Sequence, residues 1–210
     1  MDDEETQLKI IVVGSSGVGK SKLLIRYVKG VFTDDVKPTI AGDFYSKTLE
    51  VSGRRVRAQF WDTAGQELFS SISYSLYKNA HGVIMCFDLT RKETFDRLES
   101  WMKEVENHCP AGTSILITGL KSDLQGQRQV TVDEGKSFAR KWKVFYIETS
   151  ALSNSNVDKA FRVIMEESLK EAKKEDKSFH SKHYSLLSPS VKDRQVENGA
   201  EVAEKKGCCS

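Results

Sequence analysis

The sequence predicts a three-layer α/β domain: a six-stranded, mostly parallel sheet with helices on both faces. Three observations carry that prediction. Short β-like apolar runs alternate with stretches of helical period along residues 6–173, the order in which helices wrap a parallel sheet. Two runs, Gly82–Asp88 and Ser114–Leu120, are apolar without alternation, as strands covered on both faces are. A glycine-rich stretch from Gly14 to Ser21 sits where the first strand gives way to the first helix.

The elements follow in order. Leu8–Val13 reads as a strand, and a helix follows from Lys20 to about Val28. Phe44–Val51 and Val56–Trp61 are strands joined at Ser52-Gly53, a hairpin turn signal. After the strand Gly82–Asp88, the residues Phe95, Leu98, Trp101, Met102 and Val105 keep a 3.6-residue period, which predicts one helix. The strand Ser114–Leu120 comes next. Thr131 followed by Glu134 matches a capping box and opens a helix to about Lys141. Val144–Ile147 is a short strand. Val157, Ala160, Phe161, Ile164, Met165, Ser168 and Leu169 then mark the buried face of a final helix. The count is six strands and five helices. Residues 1–5 read as a flexible acidic leader, 6–173 as the domain, and 174–210 as a flexible tail without periodicity.

Composition narrows the function. The 210 residues carry 32 Lys+Arg against 30 Asp+Glu, a formal net charge of +2. No basic stripe of the kind that binds nucleic acid is present. The four cysteines, Cys86, Cys109, Cys208 and Cys209, do not form a secreted disulfide framework. The acidic leader is opposite in charge to a signal peptide's start, and Leu8–Val13 is far short of the ~20 residues of a membrane span.

Gly14-Ser15-Ser16-Gly17-Val18-Gly19-Lys20-Ser21 fits G-x-x-x-x-G-K-[ST] between a strand and a helix. Glycines let such a loop wrap phosphates, presenting backbone N–H groups and a helix N-terminus to their charge. Lys20 would bridge the β- and γ-phosphates and the Ser21 hydroxyl would ligate Mg²⁺. A second element, Trp61-Asp62-Thr63-Ala64-Gly65-Gln66-Glu67, begins at a strand end. There Asp62 can hold Mg²⁺, the Gly65 N–H can meet a γ-phosphate, and Gln66 can orient an attacking water.

These two motifs, with Thr39 between them and Thr149-Ser150-Ala151 beyond, resemble the Ras superfamily of small GTPases, and within it the Rab proteins. Ser16, Thr39-Ile40-Ala41-Gly42-Asp43-Phe44, Trp61 and the paired terminal cysteines carry the Rab likeness. The resemblance implies a P-loop fold with one antiparallel strand in the sheet. It implies a GTP/GDP switch that uses Mg²⁺, held by Ser21, Thr39 and Asp62, with Lys20 and Gln66 as catalytic residues. Nucleotide contacts fall to Ser16, Gly17, Val18, Gly19, Lys20, Ser21, Lys22, Thr39, Gly65, Lys121, Asp123, Ser150 and Ala151, and Phe32 stacks edge-on at the guanine. Lys22 also reads simply as a solvated helix residue. The implied partners are effectors, an exchange factor, a GTPase-activating protein and a prenyl-binding chaperone of the GDP-dissociation-inhibitor type, on a monomer that meets no nucleic acid. No arginine of the chain is evidently aimed at the γ-phosphate, so slow turnover with outside activation is expected.

The chain departs from the family at the base. The family's Asn-Lys-x-Asp becomes Leu120-Lys121-Ser122-Asp123, and Leu152 stands where the family usually has Lys. Asp123 still offers a carboxylate to the guanine donors, and the Lys121 stem can lie on the base. Either the lost amide weakens binding by about 1–3 kcal/mol, or Leu120 merely extends its strand and binding tolerates it. The runner-up function is accordingly a weak-binding, fast-exchanging or non-hydrolysing module acting as a constitutive membrane adaptor. Leu68 and Ala41-Gly42 also depart, in segments that respond to the γ-phosphate.

Gly207-Cys208-Cys209-Ser210 is not a C-a-a-X box. It resembles Rab tails, which carry two geranylgeranyl chains, and two lipids are what stable anchoring requires. From Lys174 the tail holds 7 Lys/Arg and 6 Asp/Glu, so electrostatic attraction to anionic lipid adds little. The expected place is the cytoplasmic face of an intracellular membrane, in exchange with cytosol.

Overall fold

A computed structural model describes residues 5–33, 43–63 and 74–186. Six strands, β1 (Thr6–Val13), β2 (Asp43–Val51), β3 (Arg54–Asp62), β4 (Gly82–Asp88), β5 (Ser114–Leu120) and β6 (Phe145–Glu148), form one sheet in the order β2-β3-β1-β4-β5-β6. β2 and β3 are antiparallel, with Asp43 opposite Asp62 and Val51 opposite Arg54. Every other pairing is parallel. The helices are α1 (Lys20–Lys29), α2 (Tyr74–Tyr77), α3 (Lys92–Asp96), α4 (Leu98–His108), α5 (Val132–Trp142) and α6 (Val157–Leu186).

The unbroken apolar runs have the cause expected of them. In β4, Ile84 and Cys86 enter the core under α1 and α6, whereas Val83, Met85 and Phe87 enter the core under α4 and α5. Every residue of β4 is buried. On the α1 side, Tyr27 stacks on Phe161 at 3.9 Å, and Phe60 meets both rings edge-on. That cluster locks the first helix to the last helix and to β3. The β2–β3 hairpin sits at the edge of the sheet and is half exposed.

Two elements differ from their prediction. The helix expected through Phe95–Val105 is split at Arg97, whose carbonyl is shared by the N–H groups of Ser100 and Trp101. Phe95 and Trp101 nevertheless both reach the same core, so the period survives the slip. The last helix passes the expected boundary at residue 173 and runs to Leu186. Its final turns are rich in Lys and contain neither Gly nor Pro, so nothing in the local sequence breaks the helix there. Leu169 is the last apolar core residue among the described side chains. The Thr131 capping box is formed: Thr131 Oγ1 accepts from the Glu134 N–H at 3.2 Å, and Glu134 Oε2 accepts from the Thr131 N–H at 2.8 Å.

Candidate nucleotide site

The parallel strands bring their carboxyl ends to one rim, where open α/β sheets bind ligands. Gly14 follows β1, Asp62 ends β3, Asp88 ends β4, Leu120 ends β5, and Thr149 follows β6. Chemistry far apart in sequence therefore converges.

The phosphate loop begins against β4. A Cβ on Gly14, whose φ is +134°, would lie 2.1 Å from the Cys86 carbonyl oxygen, so only glycine can open the turn. Val18 is buried beneath the loop, and Ser16 and Gly17 are exposed on it. Gly19 takes a left-handed conformation immediately before α1. Lys20 folds back so that Nζ donates to the carbonyls of Gly14 at 2.7 Å and Ser15 at 3.2 Å. This places an ammonium inside the loop's curve, beside the N-terminus of α1.

The β1–β3 register pairs Val12 with Asp62. Thr63 then secures the strand end, its Oγ1 donating to the Val12 carbonyl at 2.8 Å. Asp62, 1% exposed, accepts a short hydrogen bond from the Ser21 hydroxyl. A hydroxyl and a carboxylate, both hard oxygen donors, thus meet beside the phosphate loop and fit Mg²⁺, which favours such ligands together with substrate phosphates.

At the end of β5, Leu120 is 3% exposed and belongs to the core under α1. Its Cδ1 lies 3.7 Å from where a Cβ on Gly19 would stand. Lys121 has a φ of +62°, and its Nζ pairs with Asp88 Oδ2 at 2.6 Å. Asp123 is exposed. The Ser122 N–H donates to Thr149 and the Thr149 N–H donates to Gly119, stitching the turn after β5 to Thr149-Ser150-Ala151. Ser150 is buried and its Oγ accepts from the Ser153 N–H. Leu152 is 54% exposed. Phe32 lies beneath Lys22, whose Nζ is 4.9 Å from the ring centroid. Thr39, Gly65, Gln66, Cys208 and Cys209, with Ala41, Gly42 and Leu68, lie outside the described residues.

Three residues escaped sequence reasoning. Arg26 donates to the carbonyls of Ala151 and Leu152 across the fold, a contact without any local signature. Asp88 is a fully buried carboxylate. Burial pushes its pKa up, but hydrogen bonds from Lys121 and Thr90 outweigh this and hold it below the usual carboxylate value. Arg91 bonds Asp88 and also reaches the phosphate loop. The signal for Asp88 was available, because an acid closing an apolar strand is what singled out Asp62. Cys86 is inert in the core, its thiol pushed up to about 12 by burial.

A P-loop in a six-stranded sheet with one antiparallel pair, its lysine inside the loop and a Ser–Asp pair beside it, defines a small G domain. The chain matches the Ras family over residues 9–170. It is 37% identical to Ras-related protein RABA1b of Arabidopsis thaliana over 210 residues, all of this chain and 96% of the relative. Ras-related protein RabC of Dictyostelium discoideum is 35% identical over 99% of this chain and its own full length. Ras-related protein Rab11C of Lotus japonicus is 36% identical over 96% of this chain and 94% of its own. The chain belongs to the Ras family and, within the superfamily, to the Rab small GTPases.

Proposed function

We propose that this protein is a GTP/GDP-dependent membrane-trafficking switch that binds nucleotide with Mg²⁺ and hydrolyses GTP slowly. The observation that carries the reading is the meeting of Ser21 and Asp62 beside a loop whose curve holds the Lys20 ammonium. Lys20 and the loop N–H groups bind the β- and γ-phosphates, and Ser21, Asp62 and Thr39 would hold the cation. Bound Mg²⁺ supplies charge neutralisation on the phosphate oxygens. Asp123 accepts from the guanine donors, and Gln66 orients water for in-line attack. Turnover is slow because Arg91 is engaged by Asp88 and the Ser16 carbonyl; an activating protein would supply the missing charge.

The β2–β3 hairpin also offers a recognition face. Phe44 is 51% exposed and packs against Trp61 at 5.0 Å across the hairpin, an aromatic pair suited to effectors. An exchange factor and a GDP-dissociation-inhibitor-type chaperone are proposed on family grounds. No helix among the described residues is long and apolar enough to cross a membrane; two prenyl chains on Cys208 and Cys209 would hold the protein to one. The second reading, a fast-exchanging constitutive adaptor, is favoured by the apolar Leu120 and Leu152 at the base.

Binding of GTP, GDP and ATP together with single-turnover hydrolysis tests the proposal. Mg²⁺-dependent binding of GTP and GDP but not ATP is expected, with slow hydrolysis that Gln66→Leu abolishes. Equal affinity for ATP overturns the guanine reading, and GTP that stays intact in the wild type moves the assignment to the adaptor.

A further inference from the structure

We infer that Asp88 and Arg91 are a positioning pair that ties the phosphate loop to the base-reading turn, taking over a link that Leu120 cannot make. The inference rests on the loop being the nucleotide site proposed above.

Both oxygens of the buried Asp88 carboxylate are saturated. Oδ1 accepts from the Thr90 N–H at 2.9 Å and the Thr90 hydroxyl at 2.7 Å. Oδ2 accepts from Lys121 Nζ at 2.6 Å and Arg91 Nε at 3.1 Å. Two cations on one carboxylate repel each other, and the negative charge of Asp88 between them offsets that repulsion and holds the cluster together. Thr90 orients that charge.

Each cation then acts on a different part of the site. Lys121 belongs to the base turn and holds a left-handed backbone, φ +62°, that an ordinary side chain disfavours. Its bond to Asp88 supplies a reason for the turn to keep that shape. Arg91 reaches the other way: Nη2 donates to the Ser16 carbonyl at 3.3 Å. Its guanidinium lies 3.7 Å from where a Cβ on Gly17 would stand. A continuous polar path, Lys121–Asp88–Arg91–Ser16, therefore spans base turn and phosphate loop. Beside it Leu120 offers only an apolar contact toward Gly19, which cannot fix direction as a hydrogen bond does. With two cations on one carboxylate, the path also leaves net positive charge next to the loop.

An arginine that merely decorates the surface would do none of this, and the difference is measurable. The experiment follows release of a fluorescent GDP analogue from the full chain with Mg²⁺. It compares wild type, Arg91→Ala, Arg91→Lys and Asp88→Asn, each also in the Leu120→Asn background. Arg91→Ala is expected to release the analogue roughly tenfold faster, the loss of one charged hydrogen bond. Asp88→Asn releases at least as fast. Arg91→Lys, which keeps charge but loses the fork, falls between wild type and Arg91→Ala. Restoring an amide with Leu120→Asn shrinks the Arg91→Ala effect, because two ties then share one task. Preference for GDP over IDP, read by Asp123, stays constant in Arg91→Ala, whereas general collapse of the pocket would move it. Should Asp88→Asn fail to fold, the half-exposed Arg91 series decides alone. Wild-type release from Arg91→Ala, or effects of Arg91→Ala and Leu120→Asn that simply add, overturns the inference. A wild type that does not bind the analogue overturns the nucleotide site itself.

Discussion

Arg26 Nε donates to the Ala151 carbonyl at 2.6 Å while its Nη2 donates to the Leu152 carbonyl at 2.9 Å. One side chain of α1 thus holds two successive carbonyls of the loop after β6. Its remaining arm donates to the Gly30 carbonyl at 2.8 Å, closing the end of the same helix. Replacing Arg26 by Ala should lower unfolding stability by about 1–3 kcal/mol, the range for hydrogen bonds to a charged group, and should speed GDP release. Urea unfolding and release kinetics check this; a variant unchanged in both would show the clamp to be idle.

Leu120→Asn should move stability and affinity in opposite directions. The side chain is core-buried, and losing that burial costs about 1.5–3 kcal/mol, so protein stripped of nucleotide should melt earlier. An amide at this position should slow GDP release by roughly 5- to 150-fold. Release at the wild-type rate would mean that binding already tolerates leucine.

Gly14→Ala should abolish stoichiometric nucleotide binding. The added methyl would collide with the Cys86 carbonyl of the neighbouring strand, and alanine disfavours a φ of +134°. The loss should exceed about 2 kcal/mol, as for strained backbone positions combined with overpacking. Calorimetric titration with GDP showing normal stoichiometry would refute the account of the loop.

Acid should erase the contribution of Glu148. Burial pushes its pKa up, but hydrogen bonds from Arg128, at 2.9 and 2.7 Å, and from Tyr146 outweigh this and hold it below its usual 4.5. A depressed carboxylate stabilises the fold above its unfolded pKa, and that stability is lost as pH falls through the folded value. The stability gap between wild type and Glu148→Gln should therefore be full at neutral pH and narrow progressively below about 4.5. Denaturant melts across an acidic series would show this; a gap independent of pH would contradict it.

Replacing Cys208 and Cys209 with Ser should leave the protein wholly in the supernatant of fractionated cells, since the near-neutral tail offers no polybasic alternative. Membrane recovery equal to wild type would refute lipid anchoring.

Local pattern made much of the fold legible. The two-sided burial of β4 and β5 was written in their unbroken apolar runs, and the Thr131–Glu134 box in its spacing. The structure brings Lys20, Ser21 and Asp62 together, and that convergence was legible because both motifs sit at the ends of predicted strands. The remainder was hidden for a physical reason. Arg26 and Ala151 are 125 residues apart, and Arg91 and Ser16 are 75 apart, so no window along the chain holds both partners. The length of α6 was missed differently, because the reading followed an apolar period and a helix can continue on propensity where that period stops.

The antiparallel pairing of Asp43 with Asp62 sets the first residue of β2 beside the last residue of β3. The carboxylate that meets Ser21 therefore stands on the same hairpin whose turn lies at Ser52-Gly53. Strands in such a pair stand about 5 Å apart, so Asp43 and Asp62 mark one end of the hairpin. A partner gripping the tip at Ser52-Gly53 would hold its other end, one continuous ladder away from the Ser21–Asp62 contact.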